Sequence, residues 1–180
     1  MMTRYCAFFA SMNVGGNRLL MADLRDALER EDLEDVETVV ASGNVLFSYD
    51  DRPTDGLGEM LAYIVRDRFG FDTFAAVRNP AEVRSAIEDN PFAADGEDRF
   101  VHTLFLDGQP SQERFDALVA EHRDRGGERL ALGSRMLYLD YVDGVGGSKL
   151  TSAFLRRRLD CRSTARNMTS LKRILGKMRH

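Results

Sequence analysis

Between Tyr5 and Val77 the hydrophobic period of this chain switches in the order strand, helix, strand, strand, helix, strand, and few folds accommodate that order. Tyr5 to Met12 is a continuous apolar run of strand length. Met21, Leu24, Ala27 and Leu28 then fall at helical spacing, with Leu33 closing the turn beyond. Val36 to Ala41 is β-branched and strand-like, Ser42-Gly43-Asn44 offers a reversal in which glycine accepts positive φ, and Val45 to Tyr49 returns. After a loop at Asp50 to Asp55, the residues Leu57, Met60, Leu61, Ile64 and Val65 mark a second helix stopped near Gly70, and Thr73 to Val77 closes the unit. This β-α-β-β-α-β order predicts a ferredoxin-like split unit.

The order then largely repeats. Asn79-Pro80-Ala81-Glu82 has the form of a capping box that opens a helix, and Asn90-Pro91-Phe92 ends it. Residues 93–99 are expected to link a first half, 1–92, to a second, 100–180. In the second half Phe100 to Leu106 is a strand, Ser111 caps a helix that ends at Gly126-Gly127, and Arg129 to Leu132 with Met136 to Tyr141 form a hairpin around Gly133-Ser134. Leu150, Ala153, Phe154 and Leu155 mark another helix, a short strand is expected around Thr164, and Met168 to Met178 is a final, basic helix. The expected fold class is α+β: two ferredoxin-like halves forming an α/β sandwich.

A chain of 180 residues with 43% hydrophobic and 30% charged residues buries a core of ordinary size, which excludes a disordered chain. No apolar run is long enough for a membrane span, and two cysteines, Cys6 and Cys161, are too few for a disulfide framework. Both observations predict a cytoplasmic protein with inert thiols. The net charge of −4 hides an asymmetry. Residues 1–145 hold 15 arginines against 28 acidic residues, whereas 146–180 carry ten cations against Asp160 alone, a balance of +9. Such a tail can meet phosphates or nucleic acid. The plainer account, that it docks on the acidic part of its own chain or is a solvated helix face, is favoured.

Two segments stand out chemically. Val14-Gly15-Gly16-Asn17-Arg18-Leu19 and Val145-Gly146-Gly147-Ser148-Lys149-Leu150 each follow a strand-like run and precede a helix-like one. Paired glycines, a polar residue and a cation at a helix N-terminus favour an anion, because free N–H groups and the helix dipole point at it. Neither segment has Walker spacing or the dinucleotide fingerprint. Taken singly, each is accounted for by glycines that let the chain turn and by Asn17 or Ser148 as ordinary caps. The candidate ligand-binding set is Asn13, Gly15, Gly16, Arg18, Ser42, Asn44, Gly146, Ser148, Lys149, Arg166 and Asn167, with the two glycine loops expected near one another. For the tip Ser42-Gly43-Asn44 and for Arg166-Asn167, turn formation and capping are the favoured accounts. His102 shares a strand face with Phe100, Leu104 and Leu106 and reads as a packed histidine. His122 lies near a helix end, where a cation suits the dipole. No cluster has metal-ligand spacing, and no Gly-x-Ser-x-Gly elbow supports a hydrolase. Asp140 and Asp143 flank the second loop and could hold magnesium beside a bound phosphate, although solvating a strand end is the commoner role of such aspartates.

At these residues the chain resembles DUF1697, a bacterial family of unknown function. The matching pieces are Met12-Asn13-Val14-Gly15-Gly16, Met21-Ala22-Asp23-Leu24-Arg25, Ser42-Gly43-Asn44-Val45-Leu46-Phe47, Asn90-Pro91-Phe92, Asp143-Gly144-Val145-Gly146, Ser148-Lys149-Leu150-Thr151, and Thr164 with Arg166-Asn167. They run nearly from end to end. The resemblance implies two ferredoxin-like halves and no established activity, cofactor or catalytic residue. Four positions depart from the family pattern in ways that remove a donor or a stacking ring: Ala10, Ala41, Gly147 and Met168 stand where the family usually has arginine, glutamine, arginine and tryptophan. The resulting expectation is a binding module for a phosphate-bearing ligand such as a nucleotide or nucleic acid, in a weakened or altered version. An enzyme acting on a phosphorylated small molecule and a protein-interaction module are the alternatives.

Overall fold

A computed structural model describes residues 1–10, 19–41, 43–70 and 72–178. The chain divides into two compact units, Met1–Arg84 with the chain from Arg173 onward, and Ser85–Lys172. The first contains β1 (Met2–Phe9), α1 (Met21–Glu29), β2 (Glu34–Thr38), β3 (Asn44–Asp50), α2 (Thr54–Phe69) and β4 (Ala75–Arg78). α3 (Pro80–Glu88) follows. Then come β5 (Val101–Leu106), α4 (Gln112–His122), β6 (Arg129–Gly133), β7 (Met136–Asp140), α5 (Ser152–Leu159), β8 (Ser163–Asn167) and α6 (Met168–Met178). Each set of four strands forms one antiparallel sheet, in the orders β2-β3-β1-β4 and β6-β7-β5-β8. The fold is α+β.

In the first unit Tyr5, Ala7 and Phe9 of β1 and Val45 and Phe47 of β3 share a cluster with Leu24, Ala27 and Leu28 of α1 and Leu57, Leu61, Ile64 and Val65 of α2. Alternate residues of a strand share a face, so this one register commits every second side chain to the helices. α2 reaches the sheet closely because of Gly58: a Cβ there would stand 2.5 Å from the Ala75 carbonyl oxygen. Gly56, half a turn earlier, faces open space. Gly56→Ala should therefore stabilise by about 0.5–1 kcal/mol, the usual helical gain. Gly58→Ala should destabilise by about 2 kcal/mol, because backbone must move. Urea denaturation of the pair checks the opposite signs.

Several local expectations are met atom by atom. Asn79 and Glu82 make both bonds of the capping box, Glu82 N to Asn79 Oδ1 at 2.8 Å and Asn79 N to Glu82 Oε1 at 3.1 Å. Ser111 Oγ accepts from Arg114 N, and Gly70, at φ +78°, caps α2 through its N–H to the Arg66 carbonyl. Others shift. The strand expected over 36–41 is β2, which ends at Thr38; Val40 sits at φ +68° inside a tight turn whose Ala41 N–H donates to Val39 O at 2.7 Å. A β-branched residue at positive φ is strained, and only the surrounding sheet holds it there. The hairpin expected around Gly133-Ser134 is β6-β7, and its positive φ, +52°, falls on Arg135. Gly133 makes room instead: a Cβ would stand 2.7 Å from Met136 Cγ and 2.9 Å from the Tyr138 ring. Residues 93–99 are a run of bonded turns inside the second unit, with Gly96 N donating to Phe92 O and Val101 N to Glu97 O. Among the described residues no helix is long and apolar enough to cross a membrane.

Candidate functional site

Asn13, Gly15, Gly16, Arg18 and Ser42 lie outside the described residues, so the first glycine loop and its expected proximity to the second do too. The helix after that loop is described. α1 starts with Leu20 in the cap position and no side chain accepting from its first turn. Asn44 is buried as the first residue of β3, opposite Phe8, with its carbonyl oxygen accepting from Val39 N. It is a sheet residue and not a donor displayed at a hairpin tip.

The second loop leaves β7 with a sharp bend. Asp143 N–H donates to Tyr141 O at 2.6 Å across Val142, which has φ +63°, and Gly144 follows at φ +107°. Gly146 and Gly147 are exposed, and a Cβ on either would meet nothing within 4 Å. Ser148 N–H donates to Val145 O, and Ser148 Oγ accepts from Leu150 N. Ser148 thus holds the loop's own return. The helix begins later, at Ser152, with Thr151 Oγ1 accepting from Phe154 N at 3.3 Å. Two residues, Leu150 and Thr151, therefore separate Lys149 from the helical turn it was expected to precede directly. Leu150 takes one of them because its side chain is buried in the core of the second unit.

Arg166 and Asn167 finish β8. Arg166 Nη1 donates to Thr164 Oγ1 at 2.7 Å and to Ala165 O, and Asn167 Oδ1 accepts from Ser170 N, capping α6. The register joins these residues to the loop. His102 of β5 pairs with Leu139 of β7 on one side and Asn167 of β8 on the other. β7 and β8 flank β5 and run the same way, so both end at one rim of the sheet, about 10 Å apart. The loop 142–149 leaves from that rim, and α5 and α6 both begin there. Two positive helix ends and Lys149 thus lie toward one end of the unit. Arg166, paired with Thr103, is instead on the sheet face away from Leu104, Leu139 and Phe154, and turns its guanidinium back along β8 to Thr164 Oγ1.

Beside this rim lies a cluster that sequence reasoning missed. Arg129, at the start of β6, donates through Nη2 to Asp140 Oδ2 at 2.6 Å and through both terminal nitrogens to Asp95 at 3.0 Å. Its guanidinium lies 4.7 Å over the Phe92 ring. Asp95 first, then Asp140, holds the Arg129 pKa above its ordinary value, and Arg129 in turn holds the exposed Asp95 carboxyl below the usual range. Asp140 is only 3% exposed, and its second oxygen accepts from Val142 N. No local pattern announces a pairing between residues 34 and 11 apart. The cluster also weighs against the metal reading for Asp140: Oδ2 takes two bonds from Arg129 and Oδ1 one from Val142 N, so its charge is already met by a guanidinium. Asp143 is exposed, and among the described residues no three His, Cys, Asp or Glu side chains converge to hold a metal ion.

His102 and His122 are packed. His102 Nδ1 lies 3.0 Å from Phe100 O and its ring meets Tyr141 edge-on, with burial lowering its pKa. His122 is buried at the end of α4, its Nε2 3.1 Å from Glu128 Oε2 but off hydrogen-bond alignment. The basic tail is partly spoken for. Arg158 pairs with Glu121, Arg162 with Asp107 and Lys172 with Asp98, each an acidic residue from earlier in the same unit. Arg125 and Arg158 lie over the Phe154 ring at 4.6 Å, and Glu121 binds both. Lys149, Arg156 and Arg157 stay exposed.

The family model for a protein of unknown function, DUF1697, matches residues 2–138. The chain belongs to the DUF1697 family. The matched stretch includes the first glycine segment, the Ser42-Gly43-Asn44 segment, Asp95 and Arg129, and stops before Asp140 and the loop at 142–149. A solved structure, that of the conserved bacterial protein SP0830 from Streptococcus pneumoniae, superposes with a TM-score of 0.74 at 22% identity, covering 100% of both chains. The likeness in fold therefore extends past residue 138 through the loop and both C-terminal helices. No curated protein matches the chain.

Proposed function

We propose that each unit is a ferredoxin-like βαββαβ fold and that the second binds a phosphate-bearing ligand, such as a nucleotide or nucleic acid, at the rim where β7 and β8 end. The element order and the strand orders 2-3-1-4 and 6-7-5-8 support the fold reading. The observation that carries the ligand reading is the open glycine loop with Lys149, which leaves the rim where β8 also ends and α6 begins. Backbone N–H groups at Gly146 and Gly147 offer directional donors that no side chain crowds, and Lys149 adds charge without geometry of its own. The two buried free thiols fit a reducing, cytoplasmic setting. The enzyme alternative has less support, because Asp140 is held by Arg129. The interaction alternative has less too, because Arg158, Arg162 and Lys172 already have acidic partners in their own chain.

Thermal-shift measurements with inorganic phosphate, nucleoside triphosphates and short single-stranded oligonucleotides test the reading. A ligand at a hundredfold its dissociation constant should stabilise by about 2.7 kcal/mol. Lys149→Glu should abolish the shift, and Gly147→Arg, which has room for a side chain, should strengthen it. Oligonucleotide binding should weaken steeply with salt. No shift across all three ligand sets, with or without Gly147→Arg, overturns the proposal.

A further inference from the structure

The sheet of the second unit ends in β6, and this edge differs in kind from the edge strand β2 of the first. β2 carries Glu34, Asp35 and Glu37, its register with β3 shifts between Glu34 and Glu37, and Asp35 stands at φ +48°. Charge and a bulge of this sort keep an edge from pairing with another chain. β4 is buried throughout, and β8 is polar and ends in Arg166-Asn167. β6, Arg-Leu-Ala-Leu-Gly, has none of these devices. Its five residues pair with β7 in unbroken register, and its one charge, Arg129, is occupied by Asp95 and Asp140.

The hydrogen-bond phase says which groups face outward. Leu106 N donates to Arg135 O and Tyr141 N to Phe100 O, so the odd-numbered residues of β7 bond to β5. Met136, Tyr138 and Asp140 therefore bond to Gly133, Ala131 and Arg129. The N–H and C=O groups of Leu130 and Leu132 are left pointing away from the sheet, each on a half-buried leucine.

We propose that β6 is a self-association edge, where two copies of this chain pair β6 with β6 antiparallel about a two-fold axis through Ala131. That register sets Leu130 against Leu132 of the other copy twice over. It satisfies both outward pairs of backbone groups and buries the half-exposed leucines of both copies in apolar cross-strand pairs. A second copy is the occupant because leucine at both outward-bonding positions makes the strand complementary to itself, while a charged peptide would leave those leucines uncovered.

Sedimentation equilibrium of the full chain should show a concentration-dependent dimer. Leu132→Lys, with an unchanged far-UV circular dichroism spectrum, should raise its dissociation constant at least about tenfold. At Ala131 the two strands form a non-hydrogen-bonded pair with Cα atoms about 4.5 Å apart, within disulfide range. Ala131→Cys should therefore give a disulfide-linked dimer under mild oxidation, against a parent whose Cys6 and Cys161 are buried. A parent protein that stays monomeric up to about 1 mM, where a millimolar contact would half form, overturns the proposal. So does a dimer that survives Leu132→Lys unchanged, or one that the Ala131→Cys variant fails to cross-link.

Discussion

Arg129→Ala is expected to destabilise the protein by about 3 kcal/mol, and Asp95→Ala by less than about 1 kcal/mol, although both changes break the same ion-paired cluster. The difference is burial. Asp95 is exposed, and water replaces its partner once it is gone. Asp140 has a side chain only 4% exposed, and Arg129 is the one cation bonded to it among the described residues. Without the guanidinium a carboxylate is left buried and uncompensated, which in general destabilises by about 3–5 kcal/mol. The lower end applies, since Arg129 is itself about a third open and its removal admits water. The double variant Arg129→Ala/Asp140→Ala should recover part of the loss, because the orphaned charge goes too. Urea denaturation of the three variants checks the ranking; an Arg129→Ala loss no larger than that of Asp95→Ala would show that Asp140 is solvated after all.

Phe47→Ala should have the largest effect of any substitution considered, about 4 kcal/mol. Phe47 is fully buried in the middle of β3, opposite Tyr5 in the register, and the two rings stack at 5.5 Å between centroids. Truncation removes the apolar area, leaves a cavity walled by sheet and helices that cannot collapse, and loses the ring contact, itself worth about 1 kcal/mol. Phe47→Leu keeps most of the volume and should lose less than about 1.5 kcal/mol. Denaturation midpoints of the two variants test whether volume or aromaticity dominates. A Phe47→Ala loss under about 2 kcal/mol would mean that the first core is loosely packed.

Much of the fold was legible without coordinates. The strand and helix order, the capping box at Asn79 and Glu82, the stop at Gly70 and the cap at Ser111 are all interactions among residues within a few positions of one another. Such interactions leave their mark in local spacing. Val36 to Ala41 misled because β-branched residues favour strands, whereas the sheet needed Val40 in a strained turn to deliver Asn44 to its place beside Phe8. The hairpin around Gly133-Ser134 forms where the sequence places it, but the space that Gly133 leaves for Met136 and Tyr138 has no local signal.

The candidate site divides along the same line. Asn167 as the cap of α6, and Gly144 as a positive-φ turn residue, are set by neighbours in the chain. That the loop after β7 and the end of β8 share a rim depends on both strands pairing with β5, as His102 does with Leu139 and with Asn167, across separations that carry no periodic signal. The same holds for Arg129, whose partners at 95 and 140 are chosen by the fold alone.

By itself, then, the sequence determined the kinds and order of the elements, the caps at Gly70, Asn79 and Ser111, and the family, because these rest on short-range preferences and on residue patterns along the chain. The tertiary structure decided the strand register, the burial of Asp140 beneath Arg129, and which loops and strand ends share a rim. Those outcomes depend on side chains far apart in sequence competing for the same buried space, and only the packed chain settles that competition.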